Sequence, residues 1–478
     1  MGLVLRNTYA EALEGMWLPF RASPWPDPRI LRLNRPLAEA LGLDPDAPGL
    51  AAMLAGVAPP EGSVTLAMAY AGHQFGGFSP SLGDGRAMLL AEVTDRQGHL
   101  RDIHLKGSGR TPFSRGADGK AALGPVLREY VMGEAMHALG VPTTRALAAV
   151  TTGETILRDA GRVPGAVLAR VAASHLRVGT FQFFAARGEG DRVRRLLAYA
   201  IARHDPDLGP DAALAFLERV ARRQARLVAQ WMGLGFVHGV MNTDNMTISG
   251  ETIDYGPCAF LDAHDPRAVF SSIDHAGRYA YGNQPAIARW NIARLAEALV
   301  PLIDPAQDRA VDAAMGVIDA FPGWHEEAWA AVMAEKLGLP APDAGLAQRL
   351  STLMAEGRAD HTLTFRRLSG ALRGDVSAFR LQFADPAAVD GWLADWRAAQ
   401  AGRDAAATAA AMDRANPVVI PRNHLVEAAL EAALAGDMQP FDDLLAALSA
   451  PFAETPGSDR FTRPAPGDFG PYRTFCGT

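Results

Sequence analysis

Lysine is nearly missing from this 478-residue chain: of 46 basic residues only Lys106, Lys120 and Lys336 are lysines. Where any positive charge would serve, the chain uses arginine. Each retained lysine is therefore a candidate for a role that needs a compact ammonium rather than a planar guanidinium. Cysteine is scarcer still. Cys258 and Cys476 alone cannot build a disulfide framework or a cysteine zinc cluster. No run of about 18 uncharged apolar residues is present, so no membrane-spanning segment is expected. The stretch Met1 to Trp17 holds Arg6, Glu11 and Glu14 and lacks the apolar core of a secretion signal. Positive charge is not in excess either. Fifty-three acidic residues leave a net charge of −7, which argues against nucleic acid as the main partner. A cytoplasmic globular protein is the expectation.

What is present points to several packed units. The length exceeds the ~100–200 residues of one ordinary domain, and 49% hydrophobic residues suffice for real cores. Residues 1–60 are proline-rich, without a clear strand pattern apart from a helical stretch near Pro36–Leu43, and read as a wrapping extension. Residues 61–165 are strand-rich. Tyr70 to Gly85 holds five glycines, followed by the apolar run Ala87–Val93, a turn at Asp95–Gly98 and a strand over Leu100–Lys106. A helix is expected over Pro125–Leu139, capped by Gly140. Strands are expected at Arg145–Thr151, Thr155–Arg158 and Gly165–Val171, with Gly153 in a turn. Residues 166–330 form the next unit, helical in pattern from Asp191 onward and notably over Asp211–Met232, whose arginines Arg219, Arg222, Arg223 and Arg226 read as a solvated face. Two short strands, Met246–Ile248 and Thr252–Asp254, are expected around a turn at Ser249–Glu251. Residues 331–450 form a helical region, and 451–478 an extended tail. The fold class is α+β, a strand-rich lobe followed by a helix-rich one. No coiled-coil heptad calls for a dimer, and a monomer is expected.

Chemistry concentrates in three places. Glycines let backbone N–H groups approach phosphate oxygens closely, but no Walker A lysine follows this loop. Lys106 ends a strand one hairpin later, and a helix bearing Glu129 and Glu134 comes next. Kinases place a strand lysine on nucleotide phosphates and hold it with a glutamate of the following helix. Glu129 shares a face with Met132 and Met136 and can point inward; Glu134 is the alternative. The third place is Gly235-Phe-Val-His-Gly-Val-Met-Asn-Thr-Asp-Asn245, followed by Asp254-Tyr255-Gly256. A kinase catalytic loop carries a histidine, an aspartate base and a downstream asparagine, then a metal-binding Asp-Phe-Gly. Asn245 and Asp254 are hard oxygen donors suited to magnesium or manganese. The departure is informative too. Val240 stands where a kinase has its catalytic aspartate, and Asp244 is the only nearby carboxylate able to accept a hydroxyl proton.

These residues resemble the selenoprotein O (YdiU) family, kinase-like proteins that transfer AMP rather than phosphate. The resemblance spans nearly the whole chain. It is carried by Tyr70-Ala-Gly-His-Gln-Phe-Gly, Ser81-Leu-Gly-Asp-Gly-Arg86, Leu105-Lys-Gly-Ser-Gly-Arg-Thr-Pro-Phe-Ser-Arg115, Asp118-Gly119, residues 238–254 and the terminal Cys476-Gly-Thr478. It implies a protein-kinase-like bilobal fold holding the nucleotide in a flipped orientation, with the α-phosphate facing the catalytic loop. Gly83, Gly85, Arg86, Asp118 and Gly119 would contact nucleotide. Lys106 would sit on phosphate, paired with Glu129, and Arg170 and Arg177 would clamp the distal phosphates. Asp244 would be the proton acceptor, with Asn245 and Asp254 as ligands of Mg2+ or Mn2+. The implied reaction moves AMP from ATP, or UMP from UTP, to serine, threonine or tyrosine hydroxyls of partner proteins. An ordinary phosphotransferase with a relocated base, and a non-catalytic nucleotide-binding scaffold, are the alternatives.

The family also links its terminal cysteine to redox control. A bridge between Cys476 and Cys258, four residues past Asp254, is one reading. Two free thiols is the plainer one, because the segment Val269-Phe270-Ser271-Ser272, where the pairing cysteine is expected, has none.

Overall fold

A period-two pattern of side chains in four strands builds the centre of the molecule. In the computed structural model, which describes residues 2–158 and 161–475, they are β1 (Ala87–Thr94), β2 (Leu100–Lys106), β3 (Arg145–Arg158) and β4 (Gly161–Ala172). They lie in the order β1-β2-β4-β3 within a nine-stranded sheet, each antiparallel to its neighbour. Successive strand residues point to opposite faces. Met88, Leu90, Ile103, Leu105, Val167 and Ala169 therefore enter one core, while Leu89 and Leu168 enter another. The same alternation sends His104, Lys106 and Arg170 to the face of Leu168.

Helix α1 (Leu123–Ala138) covers that second face. Its Val126, Leu127, Tyr130 and Val131 share a core with Leu89 and Leu168, and each such fully buried apolar side chain contributes roughly 1.5–3 kcal/mol. Gly140, at φ +80°, turns the chain out of the helix. The other face is covered by the N-terminal segment through Trp25, Leu41, Leu50 and Leu54. That segment also supplies three strands the sequence pattern does not show, Val4–Arg6, Trp17–Pro19 and Arg29–Leu33. They pair with β1, with Leu66–Met68 and with β3. Short strands of this kind owe their order to the unpaired backbone of a neighbour, which leaves no periodic signal.

Two further expectations are corrected. The turn expected at Gly153 is a bulge: β3 runs unbroken, with a register shift between Thr151 and Thr155. The hairpin expected from Met246–Ile248 and Thr252–Asp254 does not form. Thr247 bridges Arg177 and Thr252 bridges Thr143 instead. Their backbone groups are spent on earlier segments, with Ile248 N donating to Leu176 O and Thr252 N to Pro142 O, both at 2.9 Å.

The helical half begins with α2 (Val178–Ala185), α3 (Gly190–His204) and α4 (Ala213–Leu234) and continues with α5 (Gln284–Ile303) and α6 (Gln307–Leu337). Phe216, Leu217, Val220, Leu227, Val228 and Trp231 form the buried stripe of α4, while Arg219 and Arg226 are exposed. A separate helical core gathers Leu350, Met354, Phe365, Phe379, Trp392 and Trp396. Helices Asn423–Leu434 and Gln439–Leu448 then return to α1, where Arg128 Nη1 donates to Glu427 Oε1 at 3.1 Å. Among the described residues no helix is long and apolar enough to cross a membrane.

Candidate active site

The end of β2, the inner face of α1, β4, the Gly-rich loop and the segment 240–257 converge on one cleft of about 390 Å³. Gly83, Gly85, Arg86, Lys106, Asp118 and Gly119 line it from the strand-rich side, as does Glu129. Arg170, Arg177, Asp244, Asn245 and Asp254 line it as well. Residues scattered over 170 positions of sequence are thus brought to a single site.

Lys106 is the last residue of β2, so its ammonium emerges at the sheet's end. It donates to the Glu129 carboxylate and to Asp254 Oδ1, the latter at 2.7 Å. The helix face decides between the two candidate glutamates. Glu134 turns away, accepting from Arg145 Nη2 at 2.7 Å and Asn34 Nδ2 at 2.8 Å. Asp254 itself sits at φ +65°. It also receives Arg170 Nη1 at 2.9 Å and Arg177 Nη1 at 3.4 Å. Burial alone would raise its pKa, but Lys106, Arg170 and Arg177 together hold it well below the usual carboxylate range.

Asp244 has a different environment. It lies in the single helical turn Thr243–Asn245, buried, with Oδ1 lacking any hydrogen-bond partner. Burial pushes its carboxyl up to about 6, against the opposing field of Arg177. Arg177 Nη1 also donates to the Asp244 carbonyl at 2.9 Å, and its guanidinium stacks 4.4 Å from the Tyr70 ring centroid. Asn245 Nδ2 donates to Val240 O at 3.0 Å, which fixes the amide and leaves its oxygen as the atom able to offer a lone pair to a cation. His238 bonds the Ile253 carbonyl at 2.9 Å and is buried, a structural role.

The Gly-rich segment does more than line the cleft. Gly72–Gln74 and Gly77–Ser79 form a small hairpin that clamps the turn bearing Asp244. His73 N donates to Thr243 Oγ1 at 2.7 Å, and Phe75 N to Asn242 Oδ1 at 3.1 Å. Sequence reading missed this clamp, because its partners lie some 170 residues away. At Gly83 the φ is +60° and a Cβ would overlap the Phe113 ring, so both conformation and space require glycine. Asp118 sits at the rim, where Arg158 Nη1 donates to it at 2.8 Å. Cys258 is buried, does not line the cleft and donates Sγ–H to Tyr255 O at 3.2 Å. Burial pushes its thiol up to about 12. Cys476 lies outside the described residues.

Among the described residues no group of three histidine, cysteine or acidic side chains gathers around a point. A cation here would share two protein donors, the ionised Asp254 carboxylate and the Asn245 amide oxygen, with phosphate oxygens. Hard oxygen donors of this kind fit Mg2+ or Mn2+, which keep much of their shell for water and phosphate.

A sequence model of one family, described as "Protein adenylyltransferase SelO", matches residues 3–449. The chain belongs to the SelO family. A relative from Cereibacter sphaeroides, named "Protein nucleotidyltransferase YdiU", is 61% identical over 480 residues, covering 99% of each chain. Relatives of the same name from Mycobacterium sp. and Pseudarthrobacter chlorophenolicus are 55% and 53% identical. They cover 100% of this chain and 99% and 98% of their own. SelO membership makes this protein an enzyme of the nucleotidyl-transfer type. In and behind the SelO cleft stand residues that sequence reading left without a role: Tyr70 beneath Arg177 in the lining, and the buried pair Asp84 and His104 behind it, beside Arg170. Asp84 stands inside the Gly-rich motif, which was the one available signal. His104 carried none beyond its alternation with Lys106.

Proposed function

We propose that this protein transfers AMP from ATP, or UMP from UTP, to serine, threonine or tyrosine hydroxyls of other proteins, releasing pyrophosphate. On this reading residues 61–165 and 166–330 are the two lobes of a kinase-like fold. Residues 1–60 back the sheet, 331–450 brace the second lobe and α1, and 451–478 form a tail. The observation that carries the proposal is the buried Asp244 carboxyl, its Oδ1 without a hydrogen-bond partner, lining the same cleft as Asp254, while Val240 occupies the position of a kinase base.

The residues divide the work. Gly83, Gly85, Arg86, Asp118 and Gly119 hold the nucleotide. Lys106, kept in place by Glu129, and the forked guanidiniums of Arg170 and Arg177 neutralise the phosphates. Asp244 takes the proton from the acceptor hydroxyl as its oxygen bonds the α-phosphorus and the bond to the β-phosphate oxygen breaks. A general base in this position is worth roughly 10²–10⁴-fold in rate. Asn245 and Asp254 would hold a divalent Mg2+ or Mn2+, which when bound supplies positive charge to the phosphate oxygens. A buried free thiol at Cys258 accords with a reducing, cytoplasmic setting. We read the enzyme as a monomer whose partners are nucleotide and target proteins.

Incubation with α-labelled and, separately, γ-labelled ATP tests this, comparing the wild type with Asp244→Ala and Asp254→Ala. Label arriving only from the α-position, and lost in both variants, is the expected result. Label from the γ-position would make the protein a phosphotransferase. Tight nucleotide binding with no transfer to any protein would make it a scaffold.

A further inference from the structure

Arg170 is held by a buried pair, Asp84 and His104, that does not itself line the cleft. It lies directly opposite His104 in the β4–β2 register, and its Nε donates to His104 Nδ1 at 3.3 Å. A guanidinium only donates, so Nδ1 supplies the lone pair and the imidazole proton resides on Nε2. That nitrogen donates to Asp84 Oδ2 at 3.0 Å. The same oxygen accepts Met68 N at 2.9 Å, and Thr111 Oγ1 donates to the Asp84 carbonyl at 2.7 Å. Asp84, His104 and Arg170 are 1%, 0% and 3% exposed, so no water competes for these contacts.

The groups facing His104 are Asp84, Arg170, Arg177 and the ring of His175, stacked at 4.2 Å and itself bonded to Asp102 at 3.1 Å. Burial and the two arginines hold the imidazole below its ordinary pKa, which agrees with the neutral tautomer the hydrogen bonds require. With Nε occupied, Arg170 has lost rotation about its long side chain and presents its Nη edge toward Asp254. The other end of the relay is Asp84, set between Gly83 and Gly85.

We propose that Asp84 and His104 are positioning residues: they lock the guanidinium of Arg170 for phosphate binding and couple it to the Gly-rich loop. This rests on the reading of Arg170 as a phosphate ligand. Neither residue lines the cleft or touches nucleotide; each acts through Arg170 or through the loop backbone.

Three full-length variants separate orientation from bulk. In His104→Asn the side-chain oxygen can stand where Nδ1 stands, keeping an acceptor for Arg170. In His104→Gln the amide can reach Asp84 but leaves Arg170 Nε without its acceptor. His104→Phe removes both contacts. Binding of Mg-ATP by calorimetry and the steady-state constants for α-label transfer are the readouts. The expected result is a rise of roughly 10- to 100-fold in Kd and KM for nucleotide in the Gln and Phe variants, with kcat changed far less. His104→Asn should stay within about threefold of wild type, and His104→Gln should add nothing further in an Arg170→Ala background. Wild-type affinity in all three variants overturns the proposal. So does equal weakening in all three in step with a lowered melting temperature, which makes His104 merely structural. The functional reading fails separately, if wild type binds nucleotide but transfers no α-label; the affinity series still decides the role of His104. Absence of nucleotide binding by wild type overturns both.

Discussion

Lys106 and Asp254 meet at 2.7 Å, although 148 positions separate them in the chain. The contact joins the last residue of a sheet strand to a turn in the helical half, and it makes Asp254 the meeting point of three cations. A carboxylate so surrounded stays ionised, as a ligand for a hard cation must. Its opposite is Asp244, whose carboxyl is buried without a full set of partners. Two aspartates in one cleft therefore sit in opposed electrostatic environments, one held as an anion and one poised to take a proton.

Asp254→Asn should abolish function and lower stability together. The substitution leaves Lys106, Arg170 and Arg177 without their shared anion, and breaking a buried pair costs about 3–5 kcal/mol. Transfer of α-label should fall by at least about 10²-fold, and Mn2+ binding in the presence of nucleotide should vanish from the electron paramagnetic resonance signal. Wild-type metal binding in the variant would remove Asp254 from the ligand set.

Activity should rise with pH through an apparent pKa near 6, because Asp244 works as the ionised base and its carboxyl is pushed up to about 6. The stability effect has the opposite sign. A carboxyl raised from its ordinary 3.8 favours the folded state below that value and loses this contribution as pH rises through about 6. Asp244→Asn should therefore be inactive, yet roughly 1–3 kcal/mol more stable than wild type at pH 7.5, with the difference gone near pH 4. Thermal melts at the two pH values check the second half, and a rate that is flat between pH 5 and 8 would contradict the first.

Gly72→Ala should damage chemistry more than nucleotide binding. An added Cβ would overlap Asp244 Oδ1 and come within 2.8 Å of Leu82, while the phosphate-facing cations lie elsewhere. Displacing a catalytic group by about 1 Å costs on the order of 10²-fold. The measurement is kcat alongside nucleotide affinity; a loss confined to affinity would show that Gly72 does not bear on Asp244.

Cys258 should resist alkylation in the native protein. Its thiol is fully buried and pushed up to about 12, so the thiolate that reacts is scarce. Iodoacetamide at pH 8 should leave the Cys258 peptide unmodified until denaturant is added, as read by mass spectrometry. Rapid native labelling, or a Cys258–Cys476 cross-linked peptide under non-reducing conditions, would overturn this.

Much of the site was legible before the fold. The order of Gly-rich loop, Lys106, Glu129, residues 238–245 and Asp254 is written in residue types whose chemistry is restricted, and an arginine-rich chain made Lys106 conspicuous. The strands of the central sheet were legible because short apolar runs bounded by turn residues are a local property. The edge strands at Val4–Arg6 and Trp17–Pro19 were not, since backbone pairing with a neighbour carries no side-chain signature. The supposed hairpin after Met246 failed for the same reason: its backbone partners came from elsewhere.

By itself, then, the amino-acid sequence determined which groups are available and in what order, including the valine at position 240 that removes a kinase base. Only the tertiary structure decided their relations. Packing of α1 on the sheet chose Glu129 over Glu134, strand register set His104 against Arg170, and burial raised Asp244 while three converging cations kept Asp254 ionised. Those outcomes depend on rotation of a helix, registry between strands and distance from water. Each is a sum over long-range contacts that no short stretch of sequence contains.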